Sequence, residues 1–481
     1  MKIRTAVAAA LAFGLSGIVL AGVSTVPEKP TAEKKLKWWM PRHERAKSLA
    51  AKGGYPVVFI GDSITHGWEK RGREIWEKNF SSGDYRALNL GFSGDNTENV
   101  LWRIDNGELD GLNPKAVVLL IGTNNTGHRK LADETPLDTV LGVNAIIKRV
   151  IAKCPAAKVI LMPIFPRGNP DSEVRKRNNY VNRALCLAAK HMWKDKVLWC
   201  NINNLLQNKD GTITQEMFPD RLHPSAAGYE IWAKELIPHL DYALGKSDKR
   251  PESLYSPPEP GISTVSPTMS TRWLRFNRTE NRFAMKRDEV RAAKGRTIDL
   301  VMIGDSITHR WENTGKAVFD REFAGKRIIN LGFGGDVTQN LIFAIRHGGM
   351  LDGYSARYVS LLIGTNNIWG ASPEDIAEGI RTLVGLIREK QPGAKIVLMA
   401  LMPRAQIKKP RPDSAEALAK LPKINELIRP LADGENVIWL DIWGDMFKTG
   451  KVDLTIFTDG VHPNERGYEI WAKALKETIH W

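Results

Sequence analysis

Two serines, Ser63 and Ser306, each follow a short apolar run inside the same eight-residue pattern, Phe59-Ile-Gly-Asp-Ser-Ile-Thr-His66 and Met302-Ile-Gly-Asp-Ser-Ile-Thr-His309. A hydroxyl at a strand-to-helix turn has unpaired backbone N–H groups near it, which suits a nucleophile as well as an ordinary helix cap. A nucleophilic serine also needs a base, and the base needs a group to orient it. Asp220-Arg-Leu-His223 and Asp459-Gly-Val-His462 supply such pairs late in the chain, each followed by a proline (224 and 463) suited to a first helical turn. Three residues on a tight loop can bring the carboxylate to one imidazole nitrogen and leave the other for the serine. An isolated Asp-x-x-His reads first as a helix cap; paired with a serine after the first strand, it reads as catalytic.

Acyl transfer requires hydrogen-bond donors for an oxyanion. Gly94 and Gly335, after the second strand of each half, allow close backbone approach, and Asn124 and Asn366, after the third, offer a side-chain amide. Each is also an ordinary turn residue. Their recurrence beside both serines favours the functional reading. His66 and His309 lack an evident carboxylate and are expected on a helix surface, while Arg167 and Arg404 either line the pocket or are solvated.

These residues recur because the chain is written twice. Leu90-Gly-Phe-Ser-Gly-Asp95 returns as Leu331-Gly-Phe-Gly-Gly-Asp336, Ile121-Gly-Thr-Asn-Asn125 as Ile363-Gly-Thr-Asn-Asn367, and Gly228-Tyr-Glu-Ile-Trp-Ala-Lys234 as Gly467-Tyr-Glu-Ile-Trp-Ala-Lys473. The offset is 243 residues at the serines and 239 at the histidines, a duplicated domain rather than a solenoid. Five apolar runs per copy lack polar alternation, as strands buried on both faces do: 57–60, 87–90, 116–121, 158–163 and 196–200, then 300–303, 327–331, 358–363, 395–401 and 436–440. Helical spacing between them, as at 140–153 and 376–390, predicts an α/β fold: two tandem three-layer α/β/α sandwiches, each with a five-stranded parallel sheet. Ligands bind beyond the carboxyl ends of such strands, where the repeated polar motifs fall. The expected domains are 28–243 and 271–481, joined by a Pro-rich linker at 244–270.

In order and spacing the four blocks resemble the SGNH or GDSL-type serine hydrolases over nearly all of both domains. They are most similar to the branch containing the catalytic subunits of platelet-activating factor acetylhydrolase Ib, through Ala87-Leu-Asn-Leu-Gly-Phe-Ser-Gly-Asp95, Val100-Leu-Trp-Arg103, Asn106-Gly-Glu-Leu109 and Gly122-Thr-Asn-Asn125. The resemblance implies a flavodoxin-like fold, Ser63 and Ser306 as nucleophiles, His223 and His462 as bases, Asp220 and Asp459 as their orienting carboxylates, and oxyanion holes at Gly94 with Asn124 and at Gly335 with Asn366. It implies no metal and no organic cofactor. Two departures point to different substrates for the copies: Arg346-His-Gly-Gly-Met350 stands where the first has the Arg103–Leu109 stretch, and Trp369 where the first has Gly127.

Composition narrows the setting. The 481 residues are 42% hydrophobic and 26% charged, which excludes wholesale disorder and polytopic membrane architecture. Lys2 and Arg4 precede an uncharged Ala/Leu/Val-rich run, read as a signal peptide at 1–21 and hence a secreted or periplasmic protein without a transmembrane segment after processing. Cys154, Cys186 and Cys200 permit one disulfide or three buried thiols. Of the formal charge of +15, the stretches 29–52 and 272–296 carry +6 each, expected as solvated lead-in helices; no nucleic-acid partner is expected. The expectation is a secreted tandem serine esterase removing short acyl groups, with a small-molecule or glycan ester as substrate. The alternatives are a lysophospholipase, thioesterase or arylesterase on the same machinery, or a glycan-binding protein that has lost turnover. Walker, His-Glu-x-x-His and Cys-x-x-Cys motifs are absent from the sequence.

Overall fold

The structure, a computed structural model, describes residues 23–129, 134–251, 264–265, 268, 270, 282–405, 412–448 and 450–480. The expected signal peptide and most of the expected linker lie outside the described residues. The first domain has five strands, β1 (Val57–Gly61), β2 (Ala87–Gly91), β3 (Ala116–Leu120), β4 (Lys158–Leu161) and β5 (Val197–Trp199), in the spatial order β2-β1-β3-β4-β5. The second repeats them as β6 (Thr297–Gly304), β7 (Ile328–Gly332), β8 (Ser355–Leu362), β9 (Lys395–Met399) and β10 (Val437–Leu440), ordered β7-β6-β8-β9-β10. Every pair in these two sheets is parallel. Two five-stranded α/β/α sandwiches are therefore present, as expected.

The three layers follow from the period of two along a strand. Val58 and Ile60 of β1, with Val117 and Leu119 of β3, point to a face packed by Val100 and Leu101 of helix 97–105 and by Val143, Ile146 and Ile147 of helix 136–153. Val57, Phe59, Val118 and Leu120 point to the other face, against Trp68, Phe80, Trp232 and Leu236. Both faces are covered, so the strands read as unbroken apolar runs. β6 and β8 start three residues before the apolar runs do, where Thr297 and Ser355 are exposed at the amino ends of the strands.

Segments upstream of both first helices pack into their domains. Thr97 Oγ1 donates to Ser24 O and Thr338 Oγ1 to Thr264 O, each at 2.9 Å. The domains also touch each other. Asp138, 4% exposed in the first turn of helix 136–153, is 3.0 Å from Arg291 and 3.7 Å from Arg287 on helix 282–292 of the second domain. Nearby, the ring of Tyr180 lies 3.9 Å from that of His347. Cys154, Cys186 and Cys200 are all buried free thiols. Among the described residues no helix is long and apolar enough to cross a membrane.

Candidate active site

The chain leaves β1 at Gly61 and turns at once into the short helix Ser63–His66; β6 leads likewise into Ser306–His309. Asp62 and Asp305 cap these helices, their Oδ1 atoms accepting from the N–H groups of Ile64 and Ile307 at 2.9 Å. The helix packs on glycine because nothing larger fits. A Cβ on Gly91 would lie 2.2 Å from His66 N, and one on Gly332 2.3 Å from His309 N. The nucleophile turn is thereby pressed against β2 or β7. Asp62 and Asp305 are entirely buried, and burial pushes both carboxyls up to about 7 against the opposing pull of the Ile64 and Ile307 amides.

The loop before the last helix brings the other partners. His223 Nε2 is 2.8 Å from Ser63 Oγ, and His223 Nδ1 is 2.8 Å from Asp220 Oδ2. In the second domain the same distances are 2.8 Å from His462 Nε2 to Ser306 Oγ and 2.7 Å from His462 Nδ1 to Asp459 Oδ2. Each Asp also folds its own loop. Asp220 Oδ1 accepts from the N–H groups of Leu222 and His223, and Asp459 Oδ1 from those of Val461 and His462. Such a turn needs a left-handed residue, which is Gly460 (φ 79°) in one copy and Arg221 (φ 59°) in the other. Partial burial opposes the Asp220 charge, but the hydrogen bonds from His223 outweigh it and hold the carboxyl at about 2. Asp459 is lowered in the same way. The His462 imidazole is held below its usual range, chiefly by burial, with Asp459 pulling the other way.

Ser63, His223, Gly94 and Asn124 line one cavity of about 520 Å³. Gly94 and Gly335 adopt φ of 74° and 77°, the left-handed region that glycine reaches without strain. One amide hydrogen of Asn124 is held by Asp95 O at 2.8 Å, and one of Asn366 by Asp336 O at 2.9 Å. The second hydrogen of each amide remains for a ligand. The expected residues of the first copy thus converge on one cavity, and in the second Ser306, His462 and Asp459 form the same chain, while Asn366 is held on Asp336 as Asn124 is on Asp95; each chain can move a proton from serine to imidazole.

Several neighbours take on roles that the sequence left open or did not show. Tyr229 and Tyr468, inside a repeated block, donate from Oη to Ile64 O and Ile307 O at 2.6 and 2.7 Å, bolting the last helix to the nucleophile helix. Arg167 and Arg404 are half-buried supports, donating to Thr123 O and Thr365 O at 2.9 and 3.0 Å. Arg71 reaches Asp220 (3.5 Å) and Arg310 reaches Asp459 (3.9 Å), although in register with the serines these arginines stand opposite Thr314 and Gly67. His66 is not a simple surface residue: it is half-buried, with Nδ1 2.9 Å from Ser93 Oγ and its ring beside Trp38. Burial lowers the imidazoles of His66 and His309 to about 4, so both are neutral at neutral pH. In helical register Arg103 corresponds to Ala344, not Arg346. Buried Arg103 pairs with Asp95 at 2.9 Å and steadies the Gly94 loop, a contact that Ala344 cannot make in the second copy.

The model of the GDSL-like Lipase/Acylhydrolase family matches residues 59–231 and again 302–470. Platelet-activating factor acetylhydrolase IB subunit alpha1 of Homo sapiens is 34% identical over 214 residues, which is 44% of this chain and 87% of that protein. Subunit alpha2 of Rattus norvegicus is 35% identical over 199 residues, 41% of this chain and 81% of that protein. Among solved structures, a putative platelet activating factor from Streptococcus pneumonia covers 42% of this chain and 95% of its own, at 24% identity and a TM-score of 0.35. An acetylxylan esterase from Geobacillus stearothermophilus covers 39% and 94%, at 19% identity and a TM-score of 0.32.

Proposed function

The chain belongs to the GDSL-like lipase/acylhydrolase family and is a hydrolase of carboxylic esters, and from that premise we propose that it is a secreted tandem serine esterase with two working sites that remove short acyl groups. The observation that carries this is the presence, in both domains, of an unbroken Ser–His–Asp chain at 2.8 Å between serine and imidazole. With the Nδ1 proton held by the Asp, Nε2 accepts the serine proton as Oγ attacks the ester carbonyl carbon. The oxyanion is met by the serine N–H, the Gly94 or Gly335 N–H and the Asn124 or Asn366 amide. Collapse breaks the C–O bond, and the imidazolium returns its proton to the departing alcohol. Water, deprotonated by the same imidazole, then attacks the acyl-serine, and the acid leaves as the hydroxyl is restored.

An acetyl group is supported by the acetylhydrolase relatives, and export by the basic-then-apolar pattern of residues 1–21. An O-acetylated extracellular glycan fits both. The test is hydrolysis of chromogenic acetate, butyrate and octanoate by the parent protein, Ser63→Ala, Ser306→Ala and the double variant. Activity abolished only in the double variant, with acetate preferred, is expected. Preference for octanoate would favour a lysophospholipase, and no turnover by the folded parent would favour a binding protein.

A further inference from the structure

The two sites share their reacting groups but not their rims. Lys70 and Arg71 line the cavity around Ser63, together with His128. Arg71 already leans on Asp220, whereas Lys70 is exposed and no carboxylate among the described residues lies within ion-pairing distance of it. In register with the serines, the second copy has Asn313 and Thr314 at those two positions, and Arg310 takes the place of Arg71 beside Asp459, so the charge of Lys70 is the one without a counterpart in register; in register with the asparagines, it has Gly370 opposite His128. Trp369 instead stands near the guanidinium of Arg404, 5.6 Å from its ring centroid.

The basic lead-in of the first domain also comes to its site, contrary to the expectation of a merely solvated helix. Helix Glu33–Lys52 places Lys35 Nζ 2.8 Å from Gly94 O and 3.2 Å from Asp95. One turn on, Trp38 is 37% exposed, one of few large apolar side chains so open among the described residues, and its ring lies 6.1 Å from that of His66 at 30°. His66 in turn touches Ser93, which lines the cavity. A partly exposed tryptophan, linked to the cavity through His66 and Ser93 and backed by Phe92, suits the apolar face of a sugar ring, and an unpaired ammonium on the rim suits an anionic substituent of a sugar.

We propose that the Ser63 site takes acyl groups carried on uronate-bearing glycans, with Lys70 as the residue that selects the negative charge and Trp38 as the platform for a neighbouring sugar, while the Ser306 site takes neutral esters. This rests on the serine-esterase function proposed above. Charge selection at an exposed rim is modest and screened by salt, with a Debye length of about 10 Å at 0.1 M.

The test uses the full chain in two backgrounds: Ser306→Ala, which leaves the first site, and Ser63→Ala, which leaves the second. Acetate release is measured from acetylated polygalacturonate and from acetylated glucomannan, a neutral polymer, in 20 mM and 500 mM NaCl, with p-nitrophenyl acetate alongside. The Ser306→Ala protein is expected to show an acidic-to-neutral ratio of kcat/KM roughly fivefold above that of Ser63→Ala at low salt, a gap of the size an exposed ion pair supports. High salt or Lys70→Glu should collapse it, and Trp38→Ala should raise KM for both polymers at the first site. Equal ratios in the two backgrounds, or a ratio indifferent to salt and to Lys70→Glu, would overturn the proposal while p-nitrophenyl acetate turnover left the esterase function standing. Loss of all hydrolysis in both backgrounds would overturn both.

Discussion

Asp62 and Asp305 offer the sharpest quantitative test, because each is buried where a charge is costly. Their carboxyls rise from 3.8 to about 7 on folding, so over that interval the native state binds more protons than the unfolded chain. Stability is then highest below about pH 4 as far as these groups are concerned, and is lost as the pH climbs through about 7. At 1.36 kcal/mol per pH unit, the interval amounts to about 4 kcal/mol per site. The perturbation is Asp305→Asn. Its Oδ1 still accepts from the Ile307 N–H, and its amide hydrogens stand where the proton of the neutral acid would be, on the Oδ2 side that has no hydrogen-bond partner. Near pH 4, where the carboxyl is neutral in the folded chain and not yet fully ionised in the unfolded one, parent and variant should melt close together. At pH 8, where the parent carries the charge, the variant should be more stable by up to about 4 kcal/mol, which in a domain of this size is roughly 8–16 °C. Calorimetric scans of both proteins at pH 4 and pH 8 provide the assay, with Asp62→Asn as the replicate in the other domain. A melting difference that is the same at both pH values, whatever its sign, would refute the claim that an ionising buried carboxylate is responsible.

Gly91→Ala, made in the Ser306→Ala background so that only the first site reports, should lower kcat on the order of a hundredfold, since its Cβ would fall 2.2 Å from His66 N and force the nucleophile helix off β2; a near-parental kcat counts against tight seating. In the Ser63→Ala background, the acid limb of the pH profile of kcat/KM should have its midpoint below 6.5, because burial keeps His462 neutral to lower pH; a midpoint above 6.5 would contradict that. Asp138→Ala removes one partner from a buried interdomain ion cluster and should cost about 3 kcal/mol or more; urea titration followed by calorimetry should also show the two domains melting apart.

The layers of each domain were legible because strands covered on both faces leave plain apolar runs, and the repeat made each run visible twice. The three residues by which β6 and β8 exceed those runs alternate exposed and buried, so apolarity alone misses them. Ser63, Asp220 and His223, like their second copies, could be found because their residue types are tied to a chemistry. Tyr229 was visible as a repeated residue, yet its bond to Ile64 O joins positions 165 apart and needs the fold. Arg71 and Arg310 were hidden for a different reason. They meet equivalent carboxylates, Asp220 and Asp459, from positions that do not align, so comparing the two copies makes each look unmatched. The basic stretch at 29–52 was legible as charge, but only the packing of its helix on Asp95 and Gly94 brings it to the chemistry.

The contact of Asp138 with Arg287 and Arg291 bears on how the two halves can be separated, in the laboratory or in descent. An isolated second domain would keep Arg287, now 4% exposed, with Gly349 O and Asp352 but without Asp138, and an isolated first domain would bare Asp138. Halves expressed singly would therefore misreport the enzyme, and single-residue knockouts in the intact chain are the sounder dissection. In descent the same pairing ties a change at Asp138 in one copy to Arg287 and Arg291 in the other, so these three positions are expected to vary together even where the two sites diverge.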